Sequence, residues 1–318
     1  MTSPDLEQKL LCSLLAADPV RAPFMEEVRA QSGQLDWQAF SALVERHRVA
    51  ALVASGLQAA PEIALPDVLQ AALFETREKN AQDYFRYVGL AAQLTGAFAK
   101  AGISCAVLKG IGVAERYYRH TCDREMIDVD ILVDPSRYDE AEEIVRSLGF
   151  NRLYPRFDLT VKTRASFKRL HNAFTFFRRE DGMQVDLHWR TVKNPALLPR
   201  LNDEWQNHLA TTPAANRELP TLEAGAHALY IIVHGAKHAW VRLKWLADLD
   251  RVVRGLSAEE RRSLIKASER NRMHRVVASS LALSFELLGT PLGGEFRDLV
   301  GKHSDAKLVK MQKAMIFG

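Results

Sequence analysis

The sequence predicts an α+β fold, a small mixed β-sheet core set between large helical N- and C-terminal regions. Three observations predict it. Apolar residues recur at helical spacing almost throughout residues 1–100 and again after about residue 195. Between these zones, short β-branched runs alternate with helical ones. Within that middle zone Glu180-Asp181-Gly182 separates two β-type runs, a strong hairpin signal. The chain is therefore read as a helical N-terminal region over 1–100, an α/β core over 101–195 and a helical C-terminal region over 196–318.

Each element has its own reason. Leu6, Leu10, Leu11, Leu14 and Leu15 form one face of a first helix, with Ser3 as N-cap and Pro4 at the first helical position. The helical pattern after Pro66 runs to Gly102, as one long helix or two joined near Asn80. SCAVL, residues 104–108, reads as a strand, followed by Lys109-Gly110 and the helical stretch GVAERYYRH. IDVDILV, residues 127–133, is a strand by its β-branched content. Asp134-Pro135-Ser136 is turn and cap chemistry, and the next helix buries Ala141, Ile144, Val145 and Leu148 before stopping at Gly149. FNRLY is a further strand candidate. HNAFTFFRR and MQVDLHWR form the hairpin arms, with Phe174, Phe176 and Phe177 read as sheet core. The later run LEAGAHALYIIVHGAKHAWVRLKWLADLDRVV is helical with a break near Trp240, and Ser257 with Glu260 makes a capping box.

Composition bounds the function classes. The chain of 318 residues is 47% apolar and 26% charged, ordinary for a soluble globular protein. No apolar run approaches the roughly 18 residues of a membrane span, and the N-terminus lacks the basic segment of a secretory signal. Cys12, Cys105 and Cys122 are odd in number and form no CxxC pair, so free thiols and a cytoplasmic location are expected. A net charge of +4 is too small to imply nucleic-acid binding by itself. The basic stretches 162–179 and 261–275 read first as solvated faces, the second also as a candidate RNA surface.

The chemistry starts from Asp128 and Asp130. Two residues apart on a strand, they share a face, with Cβ atoms roughly 6–7 Å apart. Partly desolvated like charges at that spacing need something positive between them. Asp186 is the other acid placed centrally in an apolar strand pattern, on the second hairpin arm. If its strand lies beside IDVDILV, three carboxylates converge, an oxygen-donor set that suits Mg²⁺ or Mn²⁺. Upstream, Lys109 and Gly110 join a strand to a helix, where glycine lets a phosphate approach the backbone and Lys109 adds a point charge. Arg124, four residues before Asp128, is a candidate to stabilise phosphate charge or to sit in an ordinary ion pair. His188 is read as a polar neighbour of Trp189 and not as a same-face partner of Asp186. His234 and His238 have a spacing open to metal ligation, but packing or capping roles are expected of them.

Together, Leu108-Lys109-Gly110, Tyr117, Arg124, Asp128-Val129-Asp130 and Val185-Asp186-Leu187-His188-Trp189 resemble the nucleotidyltransferase superfamily typified by DNA polymerase β. More narrowly they resemble its poorly characterised bacterial branch, as do His234, His238, Arg242-Leu243-Lys244-Trp245 and Asp248. The resemblance covers roughly residues 100–255. It implies a two-metal enzyme that moves a nucleoside monophosphate from an NTP, such as ATP, to a hydroxyl acceptor with release of pyrophosphate. Asp128 and Asp130 would hold the metal on the nucleotide phosphates, Asp186 would help bind a second metal and activate the hydroxyl, and Gly110 and its neighbours would grip the triphosphate. The superfamily usually carries Gly-Ser or Gly-Gly at that turn, whereas this chain has Gly110-Ile111 with no hydroxyl. A catalytically degenerate nucleotide- or partner-binding protein of the same fold is therefore the alternative. The acceptor stays open among a small molecule, an RNA and a protein side chain.

Overall fold

The computed structural model describes residues 4–157 and 159–318. The first helix is Leu6–Leu15, and its N-cap is Asp5 in a capping box with Gln8. This corrects the expectation of Pro4 at the first helical position, and Ser3 lies outside the described residues. A carboxylate at Asp5 takes the N-terminal amides directly, so the turn forms two residues later. The segment after Pro66 is one helix, Asp67–Lys100, unbroken at Asn80.

Among the described residues seven strands form one mixed sheet: β1 (Cys105–Val107), β2 (Val129–Val133), β3 (Asn151–Tyr154), β4 (Ala173–Arg178), β5 (Met183–His188), β6 (Leu209–Ala214) and β7 (Arg217–Leu222). Their order is β3-β4-β5-β2-β1-β7-β6. Strands β4 and β5 are the hairpin turned at Asp181-Gly182, with Gly182 at a φ of 71°. Strand β2 runs antiparallel to β1 and parallel to β5, which sets Asp130 directly opposite Asp186.

The hairpin β6–β7 departs from the helical reading of the chain after about residue 195. Pro213 and Pro220 interrupt its two runs and hide their strand character, and β6 tolerates its proline as an edge strand. After it come helices Ala224–Lys237 and Leu243–Gly255, separated by Ala239 and Trp240, both in the left-handed region. The break expected near Trp240 is there.

The two sheet faces follow the strand period of two. Val129, Ile131, Val133, Val185, Leu187, Phe174 and Phe176 are buried in a core shared with helices Asp67–Lys100 and Tyr138–Ser147. Ala106, Leu108 and Leu132 point the other way, into a larger core with the N- and C-terminal helices. Asp130, Asp186 and His188 share that second face. Polar side chains thus sit in a sheet face covered by helices.

Close helix packing in the N-terminal region makes one glycine critical. A Cβ on Gly56, in helix Ala50–Ala59, would lie 2.3 Å from the Leu14 carbonyl oxygen. Backbone cannot yield there as a flexible side chain would. Gly56→Ala is expected to destabilise by about 1–3 kcal/mol through overpacking, against a helix-propensity gain of about 1 kcal/mol. Urea unfolding should show a lower midpoint for the variant, and an unchanged or higher midpoint would refute the clash.

Candidate active site

Strand β2 and the turn after β1 build the centre. Lys109 follows β1, and its ammonium lies 2.6 Å from Asp130 Oδ2 and 3.8 Å from Asp128 Oδ2. The positive charge that the two aspartates require is therefore this chain's own lysine. The contact with Asp130 is a close, buried ion pair that occupies Asp130 Oδ2. Asp128 sits just ahead of β2 rather than inside it. Its carboxyl is pushed above the usual range by burial and by the Asp130 charge, against the pull of Lys109. Burial raises Asp130 too, but Lys109 and the bond from His188 outweigh it and hold its pKa well below the usual value. The same contacts keep Lys109 charged: burial opposes its ammonium, and Asp130 and Asp128 more than offset that.

Asp186 stands on β5 opposite Asp130, with Oδ1 buried and without a hydrogen-bond partner. Burial and the Asp130 charge push its pKa up to about 6. His188, two residues on, is on the same face, contrary to the reading that excluded it. An offset of two along a strand returns to the same side. Its Nε2 is 3.0 Å from Asp130 Oδ1. Ligand atoms of Asp130, Asp186 and His188 all lie within 4.8 Å of one another.

The imidazole tautomer decides what His188 offers. Asn172 Nδ2 lies 3.0 Å from His188 Nδ1 and 3.5 Å from the carbonyls of both Arg190 and Thr191. Two carbonyl neighbours identify that atom as the amide nitrogen. It donates to Nδ1, which leaves the proton on Nε2, and Nε2–H donates to Asp130. His188 thus orients Asp130. Asp186 Oδ1, unpartnered, and Asp130 Oδ2, held by Lys109, are carboxylate oxygens of the hard donor type that suits a divalent cation such as Mg²⁺ or Mn²⁺ once the ammonium moves aside.

Arg124 is taken up largely by Asp248. Nε and Nη2 each donate over 2.9 Å to its two carboxylate oxygens, and Tyr118 donates to Oδ1 over 2.7 Å. Of the two roles open to Arg124, the structure gives it the ion pair, while Nη1 lies beside Gly110. Gly110 itself has a φ of 66°, a conformation glycine adopts without strain. Beneath that turn His227 Nε2 is 2.7 Å from the Leu108 carbonyl, to which it donates.

The sequence did not single out Tyr230. Its hydroxyl is buried without a hydrogen-bond partner, and burial and the Asp130 charge together raise its pKa. It lies within the apolar run Leu229–Val233, where nothing in the pattern distinguishes it from core. His234 and His238 pack on each other and on the Trp245 ring, with centroid separations of 4.9–5.6 Å. They stand in the packed role expected of them. In the basic stretch 261–275, Arg262, Arg270 and Arg275 pair with Glu295, Glu204 and Asp305.

Residues 33–289 match the profile of an uncharacterised nucleotidyltransferase family. The chain belongs to that family. No match was found among curated proteins. In this nucleotidyltransferase the family match extends over the helices on both sides of the sheet as well as the sheet itself. Cys12, Cys105 and Cys122 are free, and among the described residues no helix is long and apolar enough to cross a membrane.

Buried neutral histidines give this nucleotidyltransferase an acid-sensitive fold. Burial lowers the pKa of His47 to about 4 and of His227 to about 3, and pushes His234 well down. The unfolded value is about 6.5. As pH falls below about 6.5, the unfolded chain takes up protons that the folded chain refuses, so stability declines. Asp186, raised to about 6, and Asp128, also raised, act in the opposite sense but are two groups against three. Thermal melts from pH 7 to pH 5 should show a falling Tm, and a flat or rising Tm contradicts this.

Proposed function

We propose that this protein is a metal-dependent enzyme that transfers a nucleoside monophosphate from an NTP, with ATP a candidate, to a hydroxyl-bearing acceptor. The acceptor oxygen forms a bond to the α-phosphorus, the bond from that phosphorus to the bridging oxygen breaks, and pyrophosphate leaves with its electron pair. The observation that carries this reading is the pairing of Asp130 with Asp186 on adjacent parallel strands, with Asp186 Oδ1 buried and unpartnered and Asp130 Oδ2 held by the Lys109 ammonium alone. Asp130 and Asp186, with Asp128 alongside, would hold the divalent ion, which supplies charge neutralisation for the triphosphate.

This chain's own groups do the rest. Asp186 is also placed to accept the proton of the attacking hydroxyl. His188 holds Asp130 in one orientation. Lys109, on leaving Asp130, can meet phosphate as a point charge. Gly110 leaves the backbone of the turn open to the adjoining cavity, which it lines with Arg124 and Asp128. The three free thiols fit a cytoplasmic setting.

A second reading, nucleotide binding without turnover, has one observation in its favour: the ammonium of Lys109 occupies the charge niche between Asp128 and Asp130. Incubation with α-labelled NTPs, Mg²⁺ or Mn²⁺ and fractionated cell extract separates the two. Label transferred to an acceptor supports the enzyme. Calorimetric binding of metal–NTP with no labelled product across the fractions supports the binding protein. RNA remains one acceptor class in that screen, and RNA binding that does not change with salt removes it.

A further inference from the structure

Beside the carboxylates lies a cavity of about 150 Å³ in which cations outnumber anions. Its lining includes Lys109, Arg124 and Asp128, and three cations from outside the sheet: Arg48, Arg242 and Lys244. Lys109 and Arg124 have their own carboxylates, Asp130 and Asp248. Arg48, Arg242 and Lys244 pair with no carboxylate among the described residues; Arg242 reaches the Arg46 carbonyl over 3.4 Å and Lys244 the Glu125 carbonyl over 3.2 Å. Burial, and then Arg124, lower the Lys244 pKa to about 8, and burial and then Arg48 lower that of Arg242. Gathering like charges around one partly enclosed space is unfavourable until an anion enters it.

The backbone adds a second sign that the fold gives something up here. Arg48 ends helix Trp37–His47 in the left-handed region at a φ of 54°. Glycine adopts that conformation freely and an arginine at a cost of about 1 kcal/mol or more. No carboxylate contact explains the arginine. The Arg48 side chain faces the same cavity as Arg242, at the N-cap of helix Leu243–Gly255, and Lys244, in its first turn.

We propose that Arg48, Arg242 and Lys244 form a polyphosphate clamp that grips the far end of the donor's phosphate chain and selects triphosphates over shorter phosphates. The identity of the donor rests on the nucleotidyl-transfer reading above; the preference for polyphosphate rests on the cavity. The acids handle the reacting phosphate, and the clamp holds the pyrophosphate portion that will leave. One helix that precedes the sheet in sequence and one that follows it, both packed in the larger core on its second face, thereby serve donor binding.

The test is calorimetry on the full chain with tripolyphosphate, pyrophosphate and orthophosphate, repeated on Arg48→Gly and Lys244→Met. Wild type is expected to bind tripolyphosphate about tenfold or more tighter than pyrophosphate, and orthophosphate weakest. Arg48→Gly relieves the left-handed backbone and Lys244→Met removes an unpaired cation, so both should melt at or above the wild-type temperature. Both should still lose about tenfold or more in tripolyphosphate affinity. A merely structural role would move stability and affinity down together. Variants that bind tripolyphosphate as wild type does, or a wild type that binds orthophosphate as tightly, overturn the clamp. Tripolyphosphate carries no nucleoside and needs no turnover. Weakened variant binding without any NMP transfer would keep the clamp and remove the transferase, and intact transfer with unchanged variant binding would do the reverse.

Discussion

Asp130→Asn is expected to reduce nucleotidyl transfer by about 10³-fold, the scale lost when one preorganised charge is removed from a site of this kind. Asp130 is 2% exposed, accepts from His188 and faces Lys109 at 2.6 Å. The amide retains the shape and loses the charge. Stability should fall as well, because a buried lysine loses its nearest counter-ion; breaking such a pair costs about 3–5 kcal/mol, reduced here by Asp128 at 3.8 Å. The two effects can be parted. Lys109→Met combined with Asp130→Asn removes both charges together, so the double variant should recover much of the lost stability and none of the activity. Denaturant midpoints and single-turnover transfer with labelled NTP measure the two separately. Activity recovered in the double variant would show that Asp130 matters only as a partner of Lys109.

Asp248→Ala is the second large effect, and it acts through Arg124. Asp248 is buried and accepts two bonds from Arg124 and one from Tyr118. Its loss leaves a guanidinium and a phenol buried without their acceptor, at a cost of about 3–5 kcal/mol. The freed arginine is the one whose Nη1 flanks Gly110 in the cavity wall. The variant should therefore unfold at lower denaturant and bind metal–NTP more weakly. Arg124→Met with Asp248→Leu, which deletes the pair, should regain most of the stability without regaining the affinity. Equal stability for Asp248→Ala and wild type would mean that the pair is not the anchor of this wall.

Much of this was legible in the chain. The switch from helical spacing to β-branched runs located the sheet, and Asp181-Gly182 located the hairpin that carries Asp186. Alternation along IDVDILV put Asp130 on a polar face and raised the demand for a nearby cation. That the cation is Lys109 follows from β1 lying antiparallel to β2, a pairing that spacing alone does not reveal. His188 was within reach of the same alternation argument, because an offset of two from Asp186 keeps the face. Other partners were out of reach. Asp248 meets Arg124 across 124 positions, and Arg48 reaches the cavity from a helix end far upstream of the sheet. Such contacts are properties of helix packing, and helical periodicity records which face is buried but not what it meets. The β6–β7 hairpin was hidden by its prolines.

Asp130 and Asp186 are expected to hold a divalent ion jointly, together with a nucleoside triphosphate. Titration of Mn²⁺ in the presence of NTP, followed by loss of the free-ion electron paramagnetic resonance signal, tests it most directly. Wild type should take up Mn²⁺ and do so more tightly with NTP than without, while Asp130→Asn and Asp186→Asn should leave the free-ion signal close to that of buffer. Uptake by both variants equal to that of wild type, or no NTP-dependent uptake by folded wild type, would contradict it.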